Sequence, residues 1–363
     1  MPNRTSASQG PLVSVIMPTY NRAHTLPRAI RSVLAQTYGN LELIVADDAS
    51  ADQTPELMAT IADPRLRYVR HEINRGAGAA RNLGLAHARG DFIAFQDSDD
   101  EWLLDKLSFQ LEMLQAAQGK YGATFGGKLI YGRDPAGRFG DGLSDYRPHQ
   151  AHSVKSGCIT PQMLSQNLIS PQTLLMKADV AREAGRFDER LPNNEDWEFM
   201  LRLSMKTDVL FTNRPVVVAY ISEDSISLNL RSNARSFMAI TRKHRETFGR
   251  TPRVYAQKLF ATGRYLYQLK RYRAARNYLY RALKIHPWSH KTWLRFLQAA
   301  LRSAGLPWRR GKDVPGPGAL RAHRRRLLGP VSMRFGAPAD RDGAPVPFSG
   351  NEPASYGQRA DTR

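Results

Sequence analysis

The sequence predicts an α/β fold whose mixed, mainly parallel sheet is flanked by helices, followed by a helical extension and a disordered tail. Short apolar runs alternate with amphipathic helical patterns through the first hundred residues. Helical periodicity takes over after Ser225 and disappears after Leu306, where Pro, Gly and Arg clusters become frequent. Strands that alternate with helices pair in parallel through right-handed crossovers, so these patterns indicate one sheet in the first part of the chain.

The first hundred residues supply four predicted strands and three predicted helices. The strands are expected at residues 13–17, 41–46, 67–69 and 92–95, and the helices at 26–36, 55–61 and 76–88. We expect the first strand to stop at Pro18, because proline cannot continue a central strand. Three strands end in polar residues, at 20–22, 47–48 and 97–100. Ligands bind beyond the carboxyl ends of parallel strands, so these residues are expected to line one crevice.

The rest of the chain divides by composition. Residues 121–220 mix two predicted strands, at 128–131 and 215–220, with loops that include 132–156. Residues 265–287 resemble one tetratricopeptide-like helical hairpin, and because such repeats need about three copies to be stable it is interpreted as a helical appendage. The predicted domains are a disordered N-terminus at 1–10, an α/β domain at 11–230, the helical appendage at 231–305 and a disordered, basic tail rich in Pro, Gly and Arg at 306–363.

The composition limits the class of protein. The 363 residues include one cysteine, Cys158, and carry a formal net charge of +20. A single cysteine excludes an internal disulfide framework and a zinc–thiolate cluster. The sequence shows neither a signal peptide nor an apolar run of about 20 residues, so we expect a cytoplasmic protein. The positive charge attracts polyanions, namely nucleic acid, anionic lipid or diphosphate substrates, without choosing among them.

The acidic run Asp97-Ser98-Asp99-Asp100 is the central candidate site. Carboxylates crowded at a strand end repel one another unless a cation or hydrogen-bond donors neutralise them. Oxygen ligands of this kind favour Mg²⁺ or Mn²⁺, which also bind phosphate oxygens. The alternative is a solvated acidic turn that only caps the next helix, since acids are favourable at a helix N-terminus. The run alone does not decide between these interpretations.

Several segments, taken in order, resemble family 2 glycosyltransferases. They are residues 13–22 (VSVIMPTYNR), 32–38 (SVLAQTY), 43–50 (LIVADDAS), 80–84 (ARNLG), 90–102 (GDFIAFQDSDDEW), 185–189 (GRFDE) and 194–198 (NEDWE). Together they extend over roughly residues 11 to 230. The resemblance implies the GT-A fold of nucleotide-diphospho-sugar transferases, in which a nucleotide-binding half and an acceptor half share one mixed sheet. It also implies inversion at the anomeric carbon of the transferred sugar.

The resemblance assigns roles to particular residues. It implies that Pro18, Tyr20 and Arg22 line the nucleotide pocket and that Asp48 accepts hydrogen bonds from the base, most often uracil. It implies that Asp97 contacts the nucleotide, that Asp99 holds Mg²⁺ or Mn²⁺ with Asp100 nearby, and that Asp196 is the general base. Glu195 and Trp197 flank this base as supporting residues. A carboxylate suits the role of base because burial and neighbouring charge can raise its pKa.

Alternatives remain open for several of these residues. Tyr20 can pack rather than bind, Asp47 and Asp48 can form a turn, and one acid of the Glu195-Asp196 pair can cap the helix that follows. Arg81 can reach the diphosphate or pair with an acid such as Asp97. Trp197 can stack on a sugar, although core packing is the stronger expectation. Ser222 stands where many relatives have a histidine, so a histidine contact to metal or diphosphate is in doubt.

The sequence therefore predicts a metal-dependent, inverting glycosyltransferase. It would move a sugar from a nucleotide-sugar, expected to be a UDP-sugar, to a saccharide or lipid-linked acceptor in surface glycan biosynthesis. The loops between residues 132 and 166 are expected to recognise the acceptor. The basic tail is expected to dock peripherally on the inner face of the membrane, where each Lys or Arg contributes about 1 kcal/mol.

Three other classes of protein remain as alternatives. An inactive, scaffold-like glycosyltransferase is disfavoured by the intact acids. A sugar nucleotidyltransferase is disfavoured because residues 18–22 contain no glycine for a phosphate loop. A specific nucleic-acid binder is disfavoured because the aromatic residues are not interleaved with the basic runs.

Overall fold

The computed structural model describes residues 10–131, 145–147, 154–220 and 229–306. The first part alternates strands and helices as the sequence predicts. In chain order the elements are β1 (Val13–Thr19), α1 (Leu26–Leu34), β2 (Leu41–Asp47), α2 (Thr54–Thr60), β3 (Leu66–Arg70), α3 (Ala77–His87), β4 (Phe92–Phe95), β5 (Glu101–Trp102) and α4 (Lys106–Ala116). Each predicted strand and helix of this region is present, with bounds that differ by a few residues.

The second part begins with strands and ends in helices. Its elements are β6 (Ala123–Tyr131), β7 (Asp145–Arg147), α5 (Thr160–Ser165), a 3-10 turn (Pro171–Thr173), β8 (Leu174–Lys177), α6 (Ala178–Ala184), α7 (Glu195–Ser204), β9 (Val209–Tyr220), α8 (Leu230–Lys243), α9 (Arg245–Gly249), α10 (Pro252–Gln268), α11 (Tyr272–Ile285) and α12 (His290–Ser303). The expectation that 132–156 forms only a loop is wrong at β7, whose backbone pairs with β6. Residues 132–144 and 148–153, the N-terminal nine residues and the tail from residue 307 lie outside the described residues.

The strands of the described chain form one mixed sheet in the order β3-β2-β1-β4-β8-β6-β9-β5, with β7 beside β6. The first four of these strands are parallel to one another. Strand β8 then pairs antiparallel with both β4 and β6, whereas β9 pairs in parallel with β6. These four parallel strands are the ones predicted from the alternation of strands and helices in the first hundred residues. Their carboxyl ends all lie at the same edge of the sheet.

Strand β1 continues through Pro18 to Thr19, so the expected stop at Pro18 is wrong. The Ile16 carbonyl accepts a hydrogen bond from Gln96 on the β4 side, whereas the Thr19 carbonyl accepts one from Asp48 on the β2 side. Backbone groups two residues apart face the same neighbour, so Pro18 faces the β4 side. The β4 ladder ends opposite Ile16, and the missing N–H of Pro18 therefore removes no ladder hydrogen bond.

Two apolar cores cover the faces of the sheet. One contains Val15 and Met17 together with residues of α1 and α4. The other contains Ile16, Phe95 and residues of α6 and α7, and here the Phe187 and Phe199 rings stack with centroids 4.2 Å apart. Alternate residues of β1 thus enter opposite cores, which explains why the whole strand is buried and mainly apolar.

The helices that follow β9 form an arm, defined here as α8 to α12. Helices α10 and α11 lie close enough that a Cβ added to Gly263 would meet Leu279 Cγ at 2.7 Å. Leu266, Ala275 and Leu279 form a small core that includes Ala299 of α12. Within the residues the structure describes, none of the helices is both long and apolar enough to cross a membrane.

Candidate functional site

The loops that follow β1, β2 and β4 meet at the carboxyl edge of the sheet. The Asn21 amide donates to Ser50 Oγ over 2.9 Å, and Asn21 Oδ1 accepts from the Ala51 amide over 2.8 Å. Arg22 Nε lies 3.8 Å from Asp99 Oδ2. The three polar strand ends are therefore in direct contact with one another.

Asp99 is a partly exposed carboxylate with a single, long ion pair among the described residues. Its side chain is 29% exposed, and Arg22 is the ion-pair partner that the described residues give it. Burial raises the pKa of Asp99, and the nearby Asp97 raises it further, while Arg22 and Arg28 oppose this. A partly exposed carboxylate beside a second acid fits a divalent cation that takes one or two carboxylates together with phosphate oxygens. The described residues contain no ready-made group of three or more Asp, Glu, His or Cys ligands.

Arg81 of α3 joins the acids of two segments. Its Nη2 lies 3.2 Å from Asp97 Oδ1 and its Nη1 lies 2.7 Å from Glu195 Oε1. The Arg81 side chain is buried, and its Nε has no hydrogen-bond partner among the described residues. Of the two interpretations left open by the sequence, the structure shows the pair with Asp97 and adds Glu195 as a second anion.

Asp196 lies in the first turn of α7, beside this ion-pair cluster. Burial raises the pKa of Asp196 to about 6, with a further contribution from Glu195 that Arg81 partly offsets. Asn167 Nδ2 donates to Asp196 Oδ2 over 3.0 Å and so orients the carboxylate. Such a group is ionised near neutral pH and basic enough to accept a proton from a hydroxyl.

Asp48 holds the loop that precedes α3. Its carboxylate accepts hydrogen bonds from the Arg75 amide at 3.0 Å and the Gly76 amide at 2.6 Å, and His71 Nδ1 lies 2.9 Å away. Asp47 instead accepts from Ser50 inside its own turn. Asp47 thus has the local contacts of a turn former, whereas Asp48 shapes residues 71–76 at the rim of the crevice.

The remaining predicted residues differ in their access to the crevice. Tyr20 is 45% exposed, whereas Pro18 is buried within β1. Trp197 is buried and its Nε1 donates to the Met163 carbonyl over 2.7 Å, so it packs in the core rather than offering a sugar-stacking face. Asp100 is also buried, and it accepts from Gln172 Nε2 at 2.6 Å and the Tyr220 amide at 2.9 Å.

Several site residues were not found from the sequence. Asn167 and Arg28 occur in segments without a motif, yet Asn167 contacts Asp196 and Arg28 Nη2 donates to the Asp99 carbonyl over 2.6 Å. The Arg28 guanidinium also lies 3.7 Å from the centre of the Tyr220 ring. These contacts join residues that are far apart in the chain, so no local sequence pattern predicts them. Residues 222–227, where the family histidine was in question, lie outside the described residues.

Comparison with known proteins finds relatives of the first part of the chain. Residues 14–156 match the model of glycosyl transferase family 2. Over 103 residues the chain is 48% identical to WfgD of Escherichia coli, a UDP-Glc:alpha-D-GlcNAc-diphosphoundecaprenol beta-1,3-glucosyltransferase, and this match covers 28% of the chain and 41% of WfgD. The chain thus spans less than half the length of this relative.

Solved structures share the fold at low sequence identity. S. aureus TarS 1-349 in complex with UDP-GlcNAc superposes with a TM-score of 0.59 and 18% identity, covering 82% of this chain and 93% of TarS 1-349. The mannosyltransferase PcManGT from Pyrobaculum calidifontis, in complex with GDP-Man and Mn²⁺, gives a TM-score of 0.52 at 19% identity, with 81% and 86% covered. At these identities the likeness establishes the GT-A fold and nothing finer.

Proposed function

We propose that this chain, whose N-terminal domain is a family 2 glycosyltransferase domain with the GT-A fold, is an inverting, metal-dependent glycosyltransferase. The donor we propose is a UDP-sugar, and the acceptor is a saccharide or a lipid-linked saccharide of surface glycan biosynthesis. WfgD is named for transfer from UDP-Glc to a diphosphoundecaprenol-linked sugar, and TarS 1-349 was solved with UDP-GlcNAc. Both names support a nucleotide-sugar donor, and the name of WfgD supports a lipid-linked acceptor.

The observation that carries this proposal is the placement of Asp196 beside the strand-end crevice. Its raised pKa of about 6 suits a general base at neutral pH. The contact from Asn167 holds the carboxylate oxygen, and the adjacent Arg81 keeps Glu195 and Asp97 in place. A scaffold without activity would have no need for a partly buried carboxylate that is ionised at a cost in stability.

The transfer we propose is a single in-line displacement. Asp196 removes the proton from the acceptor hydroxyl, and the oxygen forms a bond to the anomeric carbon from the face opposite the diphosphate. The bond from that carbon to the diphosphate oxygen breaks, and the nucleoside diphosphate leaves with the electron pair. No covalent intermediate with the protein forms, and the configuration at the anomeric carbon is inverted.

The donor would lie against the strand ends. Tyr20 and Arg22 would face the nucleotide, and Arg22 and Arg28 bring positive charge next to Asp99. Asp48 fixes residues 71–76, so its contact with the base would form at the edge of this loop. Asp99, with Asp97 beside it, would hold Mg²⁺ or Mn²⁺. When bound, the metal neutralises charge that develops on the departing diphosphate.

Donor binding provides the first test. UDP, GDP and dTDP are titrated into the purified protein by calorimetry, with and without Mn²⁺. We expect UDP to bind tightly only with Mn²⁺, and Asp99→Asn to abolish the metal-dependent part. Asp105→Asn is the matched control, because Asp105 is an exposed acid of the same stretch that pairs with Arg214. If the wild-type protein binds none of the three nucleotides under either condition, the transferase proposal is wrong and a scaffold role is favoured.

A further inference from the structure

The last helix of the arm has apolar side chains on the side that faces solvent. Thr292, Gln298 and Ala299 are buried toward α11. On the other side Trp293 is 45% exposed, and Leu294 and Leu297 are each 48% exposed. We call Trp293, Leu294, Leu297 and Leu301 the outer face of α12. An amphipathic helix of a globular domain normally has polar residues on this side.

Exposed apolar residues concentrate at this end of the described chain. Of its twelve exposed large hydrophobic residues, five lie between residues 288 and 306. Trp288, in the turn before α12, is 88% exposed. Tyr280 of α11 is half exposed, and its ring centre lies 6.2 Å from that of Phe296. The apolar surface thus extends from the outer face of α12 to its turn and to α11, which marks an interaction site rather than scattered single residues.

The arm also carries most of the net positive charge of the chain. Residues 229–306 contain eighteen Lys or Arg residues and one acid, Glu246. Residues 1–228 contain twenty-four basic and twenty-seven acidic residues, and residues 307–363 contain eleven and five. The net charge of +20 therefore comes mainly from the arm, which contributes +17, whereas the tail contributes +6 and residues 1–228 contribute −3.

Cations border the apolar surface. Lys291 and Arg302 are exposed and lie three turns apart, so they share one side of α12. Lys284 Nζ lies 5.3 Å from the centre of the Tyr280 ring on the α11 side. Apolar and aromatic side chains with Lys and Arg at their edges are the arrangement of helices that lie in the interface of an anionic bilayer.

We propose that the outer face of α12, together with Trp288, docks on an anionic membrane surface. The Trp and Leu side chains would enter the headgroup and acyl boundary, while Lys284, Lys291 and Arg302 would bind lipid phosphates. A soluble polyanion would satisfy the cations but would leave the apolar side chains in water. A second copy of the arm would bring two strongly positive surfaces together, and the positively charged tail would meet the same repulsion.

Docking of this kind is independent of the donor and of catalysis, so it can be tested without substrate. Full-length protein is mixed with vesicles of phosphatidylcholine alone, or with added phosphatidylglycerol, and bound protein is separated by flotation. We expect binding only with phosphatidylglycerol. The double variant Leu294→Gln/Leu297→Gln should lower the partition coefficient by roughly tenfold or more, because both side chains lose their burial in lipid. The matched control Leu104→Gln/Met205→Gln changes exposed apolar residues of the sheet domain and should bind as the wild type does.

The electrostatic contribution has its own variants. Lys291→Gln and Arg302→Gln should each lower the partition coefficient by roughly fivefold at low salt. Lys120→Gln and Lys206→Gln, which alter exposed lysines outside the arm, should have no effect. The fluorescence emission of Trp288 should shift to shorter wavelength when vesicles are added. It is obtained by subtracting the spectrum of Trp288→Phe from that of the wild type.

Three results would overturn the proposal. Unchanged binding of the Leu294/Leu297 variant, with loss only in the charge variants, would indicate non-specific attraction to polyanions. Loss of binding in Arg324→Gln/Arg325→Gln/Arg326→Gln, with normal binding of the α12 variants, would assign docking to the tail. The third result combines two measurements: light scattering shows that the wild type is a dimer and the Leu294/Leu297 variant a monomer, and the wild-type dimer does not bind vesicles. It would assign the outer face of α12 to contact with a second copy.

Discussion

Replacement of Asp196 by Asn should abolish transfer and at the same time stabilise the protein. In the folded state the pKa of this carboxyl is raised from 3.8 to about 6, first by burial and then by Glu195. A rise of this size corresponds to about 3 kcal/mol of cost to the ionised form. Asn is neutral and can still accept the hydrogen bond from Asn167. We therefore expect Asp196→Asn to unfold with a free energy about 1–3 kcal/mol higher than the wild type at pH 8.

The pH dependence of this gain has a definite sign. The protonated Asp196 contributes its full stability below the unfolded pKa of 3.8, and this contribution is lost as the pH rises through about 6. The difference between Asp196→Asn and the wild type should thus be largest above pH 6 and vanish near pH 4. Transfer by the wild type should rise over the same window, because the base must be ionised to accept a proton.

Urea unfolding at several pH values, followed by tryptophan fluorescence, measures the stability difference. Sugar transfer from the donor identified by calorimetry measures the activity of the same samples. Asp105→Asn, which alters an exposed acid, should change neither quantity by much. The reasoning is refuted if Asp196→Asn destabilises the protein at pH 8, or if it keeps activity with an unchanged pH profile. Loss of activity together with loss of stability would indicate a structural carboxylate rather than a base.

Three further predictions concern the crevice and the packing beneath it. Asp99→Asn should raise the urea midpoint slightly at pH 8, since burial and Asp97 raise the pKa of Asp99, while Mn²⁺-dependent nucleotide binding is lost. Arg81→Lys should lower the free energy of unfolding by about 1–3 kcal/mol in urea titrations, because a single ammonium at this buried position cannot bridge both acids; an unchanged value would mean that the bridge is not formed. Gly84→Ala should lower it by about 1–3 kcal/mol, because the added Cβ would clash with a buried isoleucine side chain of β1. Gly39→Ala is its control, since a Cβ there meets nothing within 4 Å.

The parallel half of the sheet could be predicted from the sequence because its signals are local. Strands β1 and β2 are buried along their whole length, so they appear as mainly apolar runs that end in polar residues. The continuation of β1 through Pro18 could not be predicted in this way. It depends on where the neighbouring strand β4 ends, which is a property of the sheet register rather than of the residues around the proline.

The site was predictable where a motif stands beside a strand end. Asp97, Asp99 and Asp196 were singled out by spacing and family resemblance, and the structure brings them near one another through Arg81, which pairs with Asp97 and Glu195. Asn167 was not, because its contact with Asp196 joins loop and helix across 29 positions. The position of Lys106 could not be predicted from the sequence either, because a lysine is ordinarily a surface residue. Lys106 is fully buried, and burial lowers its pKa well below the ordinary value. Long-range partners of polar residues are fixed by packing, which a single sequence does not display.

Helix α7 connects the candidate base to the arm. Asp196 and Glu198 both lie in its first turn, and Glu198 faces the arm, where His244 Nε2 lies 2.8 Å from Glu198 Oε1. Burial raises the pKa of Glu198, but hydrogen bonds from His244 and Arg202 outweigh this and bring it to about 2. Glu198 therefore stays ionised at neutral pH and holds α8 and α7 together.

A second contact joins the arm to the same part of the site. Lys258 of α10 donates to the Ser165 carbonyl over 2.7 Å, two residues before the asparagine that orients the base, and its ammonium lies 4.3 Å from the centre of the Trp197 ring. Two helices of the arm thus contact the segments that position Asp196. If the arm rests on the membrane through α12, these contacts hold the base at a fixed place relative to the lipid surface. An acceptor anchored in that surface would then meet the base without a search in solution, which is the advantage that orientation gives to a two-substrate transfer.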